Sequence, residues 1–104
     1  MQEEELTVGE VSERPSVLEL GFVVATSGAL RALEAARQSA DEFLARHEAG
    51  DWGELGEADW DENGLSLREG FRILSAYRLR TGVKIWIITE ADRSATTLLL
   101  PEEY

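Results

Sequence analysis

A period-two alternation of side chains in the last third of the chain most constrains the fold. It runs through residues 73–79, 83–89 and 95–100, with the short turn sequences Thr81-Gly82 and 90–94 between the runs. Neighbouring side chains of a β-strand point to opposite faces, so this alternation predicts strands and not helices. Turns this short join antiparallel neighbours. The pattern therefore predicts a three-stranded antiparallel β-meander.

The residues before the meander predict one strand and two or three short helices. Residues 17–25 are apolar and rich in β-branched side chains, which is typical of a mostly buried strand. Thr26 or Ser27 is a suitable N-cap for a first helix, and Ser39 with Glu42 has the form of a capping box for a second. An N-terminal strand and short helices packed on a meander define an α+β fold.

Apolar spacing predicts which faces of the two helices are buried. Leu30 and Leu33 repeat at helical spacing in the first helix, while Phe43 and His47 share one face of the second. The second helix is expected to stop at Gly50. His47 is the only histidine, and we interpret it as a packed residue whose ring N–H bonds a carbonyl at the helix end.

The glycine-rich stretch 50–64 is predicted to be mostly loop. It contains four glycines and two tryptophans, and one helical turn at 57–62 would end at Asn63-Gly64. A chain of 104 residues has room for one domain, which we assign to 17–104. The polar residues 1–16 are interpreted as a flexible acidic arm.

Composition argues against several classes of function. The formal net charge of −11 opposes direct nucleic-acid binding, which depends on clustered Lys and Arg. The absence of cysteine excludes disulfides, thiol catalysis and thiolate metal sites. No apolar run approaches the ~20 residues of a membrane span, and no secretion leader is recognisable. We expect a cytoplasmic protein with no membrane attachment, no cofactor and no metal.

The negative charge is concentrated in one segment that also holds two tryptophans. Residues 41–62 contain nine acidic residues against Arg46 alone. The segment is either a solvated face or a functional surface that imitates the closely spaced charge of DNA. Trp52 and Trp60 either fold the loop back onto the core or anchor a protein partner. Trp86, in the middle of a strand, is expected in the core or as the floor of a groove.

Five stretches of the sequence resemble a known family. They are Val24-Ala25-Thr26-Ser27-Gly28-Ala29-Leu30, Gly50-Asp51-Trp52-Gly53, Leu74-Ser75-Ala76-Tyr77, residues 86–97 and residues 100–104. Together they resemble the small bacterial proteins usually labelled "plasmid-related", which are found on plasmids and integrated elements. The resemblance runs from about Leu20 to Tyr104. It implies a bacterial cytoplasmic setting and a mobile element, and it carries over no catalytic residue.

The leading hypothesis for function is a non-enzymatic, acidic protein-binding or regulatory module. As part of a mobile element it could be a DNA-mimic-like inhibitor of a host defence protein. The turn between the last two strands is the candidate recognition loop, in which Asp92 closes the turn and Arg93 pairs with Glu90 or with the acidic segment. The candidate partner-binding residues are Asp51, Trp52, Trp60, Asp61, Glu62, Glu90, Asp92 and Arg93. The chain is expected to be a monomer, or a homodimer joined along the edge of the meander.

The alternative hypothesis is a metal-independent ribonuclease. Helices followed by a three-stranded meander form the layout of small ribonucleases of the barnase and RelE-toxin type. These enzymes combine residue types that this chain also has, in His47, Glu90, Arg93 and Tyr77. His47 would be the general base, which requires that it approach the same reacting phosphate as Arg93. The acidic balance of the chain opposes this hypothesis, because it repels RNA.

Overall fold

Three helices and a four-stranded sheet make up the described part of the protein, residues 16–104 of a computed structural model. The elements in chain order are β1 (Phe22–Ala25), α1 (Ser27–Ala36), α2 (Ala40–Glu48), α3 (Glu57–Glu69), β2 (Ile73–Arg78), β3 (Lys84–Thr89), β4 (Ala95–Leu99) and a 3₁₀ helix (Pro101–Glu103). The predicted α+β class is confirmed. The predicted acidic arm, 1–16, lies outside the described residues except for Ser16.

The sheet has the strand order β1-β4-β3-β2. Strands β2, β3 and β4 form the predicted antiparallel meander, in which Tyr77 lies opposite Ile85 and Ile88 opposite Thr97. Strand β1 pairs with β4 in parallel, with Val24 beside Thr97. Because β1 comes first in the chain and β4 last, this pairing brings the two ends of the described chain together in one sheet. It also makes β1 and β2 the two edge strands.

One face of the sheet packs against α1 and α2 to form the main core. The buried members are Ala29, Leu33, Ala36, Phe43, Tyr77, Leu79, Ile85, Ile87 and Leu98. The prediction that Leu30 is buried is wrong: its side chain is mostly exposed, and Ala29 is buried in its place. The reason is that Ala29, Leu33 and Ala36 follow one another at helical spacing on the single stripe of α1 that faces the sheet.

Side-chain caps start the first two helices where the sequence predicts them. The Thr26 hydroxyl oxygen accepts a hydrogen bond from Ala29 N at 3.0 Å, and Ser39 Oγ accepts one from Asp41 N at 3.1 Å. Each cap satisfies a main-chain donor that the first turn leaves unpaired. Helix α2 ends at Glu48, and Gly50 follows with a φ of 88°. Because α1 ends at Ala36 and α2 begins at Ala40, the prediction of two short helices is confirmed.

The prediction of a single helical turn at 57–62 is wrong, because α3 continues through Asn63-Gly64 to Glu69. Asn63 is buried, and its side-chain amide donates to Leu74 O at 2.7 Å while accepting from Leu74 N. Those two bonds fasten the middle of the helix to the sheet. Gly64 has open space around it, so nothing there requires the helix to stop. Tertiary contacts override the local stop signal.

The prediction of a mostly buried strand over 17–25 is also wrong. Only Phe22–Ala25 is a strand, and the Phe22 side chain is 77% exposed because β1 lies at the edge of the sheet. Leu18, which precedes the strand, is buried in a second small cluster with Trp52 and Ile73. Gly21 has a φ of 65°, and a Cβ there would lie 2.4 Å from Arg93 O, so the entry to β1 requires glycine.

Candidate functional site

A groove opens on the sheet face that α1 and α2 do not cover. The pleat directs Leu74, Trp86 and Ile88 to this side, opposite the main core. The groove has a volume of about 320 Å³. Its lining residues, which define what we call the aromatic groove, are Leu55, Asp59, Glu62, Asn63, Arg72, Leu74, Trp86, Ile88 and Tyr104.

Helix α3 supplies the acidic wall of the aromatic groove. Asp59, Glu62 and Asn63 are three and four residues apart, so they share one helix face. The two hydrogen bonds between Asn63 and Leu74 hold this face against β2. The positions of the Asp59 and Glu62 carboxylates therefore depend on the buried amide of Asn63, the residue at which the sequence predicts the end of the helix.

The C-terminal turn supplies the other wall. The Tyr104 and Trp86 rings meet edge to face, with centroids 5.6 Å apart, and the Arg72 guanidinium lies 5.7 Å from the Tyr104 centroid. The Glu103 carboxylate accepts from the Thr26 hydroxyl at 2.6 Å and from Leu100 N at 2.8 Å. The Thr26 hydroxyl holds the pKa of Glu103 below its usual value. This bond fastens the turn that carries Tyr104 to the start of α1.

The aromatic groove carries an excess of negative charge. Asp59 and Glu62 face one cation, Arg72, whose guanidinium lies over the Tyr104 ring. Within residues 16–104, no ion pair engages either carboxylate. Two carboxylates against one guanidinium leave room for one further positive charge beside the Trp86 ring. The groove is chemically suited to an organic cation.

His47 lies at the centre of a buried chain of hydrogen bonds that crosses the sheet. Its Nδ1 is 2.5 Å from Ser75 Oγ, and its Nε2 is 2.8 Å from Thr89 Oγ1. Thr89 Oγ1 in turn lies 2.7 Å from Thr96 Oγ1, whose hydroxyl donates to Leu20 O at 2.6 Å. We call Ser75, His47, Thr89 and Thr96 the buried relay. It connects β2, β3 and β4 to the residue before Gly21 at the entry to β1.

The carbonyl acceptor at the end of the buried relay fixes the direction of the bonds from Leu20 back to His47 Nε2. Since Thr96 donates to a carbonyl, it accepts from Thr89, which accepts from the Nε2–H of His47. Burial lowers the pKa of the His47 ring to about 4, so the ring is a neutral imidazole at neutral pH. Its unprotonated Nδ1 then accepts from Ser75. The predicted ring-to-carbonyl bond is wrong, because hydroxyl groups occupy both ring nitrogens.

The buried relay contains a serine hydroxyl bonded to a histidine, which is the geometry of an activated nucleophile. All four of its members, Ser75, His47, Thr89 and Thr96, are fully buried. A substrate has no access to Ser75 Oγ in this structure. The relay therefore satisfies polar groups inside the core and links the strands there.

Of the four residues of the ribonuclease hypothesis, the described contacts join only Arg93 and Glu90, and they bring neither of these to His47 or Tyr77. The buried Tyr77 hydroxyl donates to Asp51 O at 2.6 Å, and burial raises the pKa of this phenol. The Arg93 guanidinium donates to main-chain carbonyls at Phe71, at 2.8 Å, and at Ser66, at 3.1 Å. It also donates to the main-chain O of Glu90 at 3.0 Å. The predicted pairing of Arg93 with a carboxylate of Glu90 or of the acidic segment is wrong, since the described bonds of its guanidinium go to main-chain carbonyls and fasten the turn to the end of α3.

The proposed docking surface around the two tryptophans also differs from expectation. Trp52 is only 3% exposed and packs edge to face on His47, so the expectation that it is accessible is wrong. Trp60 is 37% exposed and donates from Nε1 to Gly53 O at 3.2 Å. The Asp51 carboxylate is occupied by the Arg46 guanidinium at 2.7 Å, which lowers the pKa of Asp51. Both indoles hold the loop in place.

Only Glu62 of the predicted partner-binding residues lines the aromatic groove. Asp61 is exposed on α3, and Glu90 and Asp92 are exposed in the turn before β4, where Asp92 Oδ1 accepts from Ser94 N. The lining residues that sequence reasoning missed include Asp59, Arg72 and Tyr104. Asp59 could have been found from its helical spacing to Glu62, had α3 been predicted at full length. The position of Tyr104 beside Trp86 has no signal in the sequence.

The chain has no significant match among known protein families, curated proteins or solved structures. The resemblance to the plasmid-related family therefore stays a prediction. Within residues 16–104 no group of three or more His, Asp or Glu side chains could hold a metal ion. In the same residues, no helix has both the length and the apolar character to cross a membrane.

Proposed function

We propose that this protein is a non-enzymatic binding module whose aromatic groove takes one cationic side chain, arginine or lysine, from a protein partner. The observation that carries the proposal is the placement of Asp59 and Glu62 beside the ring pair of Trp86 and Tyr104. Aromatic faces attract cations, and carboxylates form charge-assisted hydrogen bonds with them. Both attractions act on the same bound group.

The internal arginine of the groove supports this choice of ligand. Arg72 already lies over Tyr104, which is the kind of contact that we propose for a partner's arginine on Trp86. The volume of about 320 Å³ lies at the small end of ligand sites, which span roughly 300–1,000 Å³. A single side chain fits this space better than a large cofactor.

The burial of the candidate catalytic histidine favours binding over catalysis. His47 is neutral, fully buried and bonded at both ring nitrogens, so it offers no base to a substrate at the surface. The ribonuclease alternative is tested by incubating RNA with the protein and with His47→Gln. Cleavage that this substitution abolishes would support a catalytic role. No cleavage, or equal cleavage by both proteins, would remove the alternative.

The binding proposal is tested by titrating the ¹⁵N-labelled protein with a short arginine-containing peptide. We expect the Trp86 indole N–H signal to shift, and a peptide with citrulline in place of arginine to leave it unchanged, because citrulline has no charge. The double variant Asp59→Asn/Glu62→Gln should weaken binding by at least about tenfold through loss of charge-assisted bonds. Failure of the arginine peptide to shift the indole signal would overturn the proposal.

A matched double variant separates the groove from general electrostatic attraction. Glu34 and Asp41 are exposed and lie outside the groove, and Glu34→Gln/Asp41→Asn removes the same two negative charges. We expect this control to weaken binding less than about twofold, since it changes only the long-range field. An equal loss in the two double variants would mean that binding is nonspecific and would contradict a groove.

The DNA-mimic hypothesis is a more specific version of the same proposal, in which the partner is a DNA-binding protein. Arginine side chains that bind phosphates on DNA would also fit carboxylates beside an aromatic floor. A host defence protein with such a surface would be the natural target if the chain belongs to a mobile element. Competition between duplex DNA and this protein for one target would support mimicry, whereas simultaneous binding of both would exclude it.

A further inference from the structure

Within residues 16–104, the outer edge of β1 leaves main-chain hydrogen-bonding groups without partners. The N–H groups of Phe22 and Thr26 donate to carbonyls of residues 94–98 at 2.9 and 3.0 Å. Because successive residues of a strand point their N–H and C=O groups to opposite sides, those of Val23 and Ala25 point away from β4. No described hydrogen bond involves them. This edge of the sheet is open.

The side chains of β1 are apolar and uncharged, and those of Phe22, Val23 and Val24 are exposed. Phe22 is 77% exposed, and Val23 and Val24 are each 43% exposed. Residues 20–30 contain no charged side chain and no proline, which are the usual devices that prevent an edge strand from pairing. An edge with unpaired main-chain groups and β-branched side chains is a template for another strand.

We propose that the occupant of this edge is a second copy of the chain, joined through antiparallel pairing of β1 with β1 across a twofold axis. The inference is independent of the proposed function, because no residue of β1 lines the aromatic groove. Two copies joined in this way would share one eight-stranded sheet. Such a contact is isologous, so it closes on itself and stops at a dimer.

The distribution of charge favours a second copy as the occupant. The acidic segment, residues 41–62, includes the loop and the start of α3 that lie at the β2 edge. Three strand spacings of roughly 4.8 Å separate that edge from β1. Residues 15–40 contain two acids and two bases. Pairing through β1 therefore joins residues 15–40 of the two copies, whose charges balance, and keeps the two acidic segments apart, despite a net charge of −11 on each copy.

The directions of the free groups fix the register. Val23 and Ala25 carry the outward N–H and C=O groups, so the twofold axis passes beside Val24. Val23 of one copy then lies opposite Ala25 of the other, and the two such pairs form four main-chain hydrogen bonds. Val24 lies opposite its own counterpart in a non-hydrogen-bonded pair, with Cα atoms about 4.5 Å apart. A contact this small predicts a dimer that dissociates on dilution.

Sedimentation velocity over a range of concentrations tests the dimer. The full chain should sediment as a dimer at high concentration, and Val24→Lys should make it monomeric by placing two like charges beside the axis. The matched control is Val83→Lys, because Val83 is 41% exposed in the turn after β2, away from β1. This control should leave the dimer intact.

Single cysteines test the register, since the chain contains no cysteine of its own. Under mild oxidation Val24→Cys should form an intermolecular disulfide, because the two Cβ atoms face each other across the axis. Phe22→Cys should not form one, because Phe22 lies opposite Thr26 in this register and far from its own counterpart.

Four results would overturn the proposal: a monomer at every concentration, a dimer that survives Val24→Lys, loss of the dimer in Val83→Lys, or equal crosslinking by the two cysteine variants. Hydrogen exchange distinguishes the other possible occupant. Slow exchange of the Val23 and Ala25 amides in a monomeric protein would mean that residues 1–15 of the same chain cover the edge.

Discussion

The two edges of the sheet differ in how their main-chain groups are satisfied. At the β2 edge, Ala76 N donates to Trp52 O at 3.1 Å, Ala76 O accepts from Glu54 N at 2.6 Å, and Asn63 bonds both groups of Leu74. At the β1 edge no described residue does the same for Val23 and Ala25. An edge closed by the protein's own loop and helix is protected from other chains, whereas the open edge is available to them.

Hydrogen exchange in the monomeric Val24→Lys variant should show the largest difference between the edges. Ala76 and Ala25 both carry edge-directed amides, but among the residues that the structure describes only the Ala76 amide has a partner. We expect the Ala76 amide to exchange at least ~10³-fold more slowly than that of Ala25, because its exchange requires unfolding of the closed edge. Similar protection of the two amides by NMR-detected exchange would contradict the comparison.

Removal of the Trp52 ring should destabilise the closed edge most. Trp52→Ala should lower the free energy of unfolding by about 4 kcal/mol, since it leaves a cavity between Leu18, Ile73 and His47. Trp60→Ala is the control, and should cost only about 1 kcal/mol because it removes a half-exposed ring that packs on the edge of Trp52. Urea unfolding monitored by circular dichroism measures both values, and equal losses would refute the assignment.

Acid should weaken the buried relay that joins the two edges. The pKa of His47 is about 4 in the folded protein and 6.5 ordinarily. Between pH 6.5 and pH 4 the ring therefore binds a proton in the unfolded chain but stays neutral in the folded protein. This contribution to stability is fully present above pH 6.5 and is lost as the pH falls towards 4, by about 3 kcal/mol in total.

The single histidine makes this acid sensitivity directly measurable. Its NMR ring signals should not titrate between pH 8 and pH 5, and His47→Gln should reduce the loss of stability over that range. A ring that titrates near its ordinary pKa would show that His47 is accessible, and would reopen the catalytic hypothesis.

Asn63→Asp should have a smaller effect on the same closed edge. The aspartate retains an acceptor for Leu74 N and loses the donor to Leu74 O, so a buried carbonyl and a carboxylate oxygen face each other. We expect a loss of about 2 kcal/mol, the cost of an unsatisfied buried polar group. Asp61→Asn, on the exposed side of α3, is the control and should be nearly neutral. Equal unfolding midpoints in urea would show that Asn63 does not fasten the helix.

The elements predicted correctly are those encoded by local pattern. The meander follows from period-two alternation, and the starts of α1 and α2 follow from Thr26 and Ser39, whose caps act within three residues. The errors arose where a distant partner decides the outcome. Asparagine is common at the ends of helices, but here the side-chain amide of Asn63 is hydrogen-bonded to the main chain of Leu74. Trp52 lies among acidic residues and glycines in the sequence, which favours an exposed partner-binding residue, but in the structure its ring is buried beside His47.

The candidate site was less predictable than the fold. Trp86 was expected either in the core or as the floor of a groove, and the structure selects the second. The groove also needs α3 at full length and Tyr104 folded back over β3, neither of which the sequence indicates. The sequence predicts Glu62 as a partner-binding residue because of its charge. It does not predict that Glu62 lines a groove with the rings of Trp86 and Tyr104.

The sequence by itself determined the strands of the meander, the helix starts and the strongly negative middle segment, because each depends on neighbours a few residues away. Only the tertiary structure decided which strand edge is closed, which indole is buried and which carboxylates face an aromatic floor. Those outcomes depend on contacts between residues far apart in the chain, such as Thr26 with Glu103 and Asn63 with Leu74, whose geometry exists only after folding.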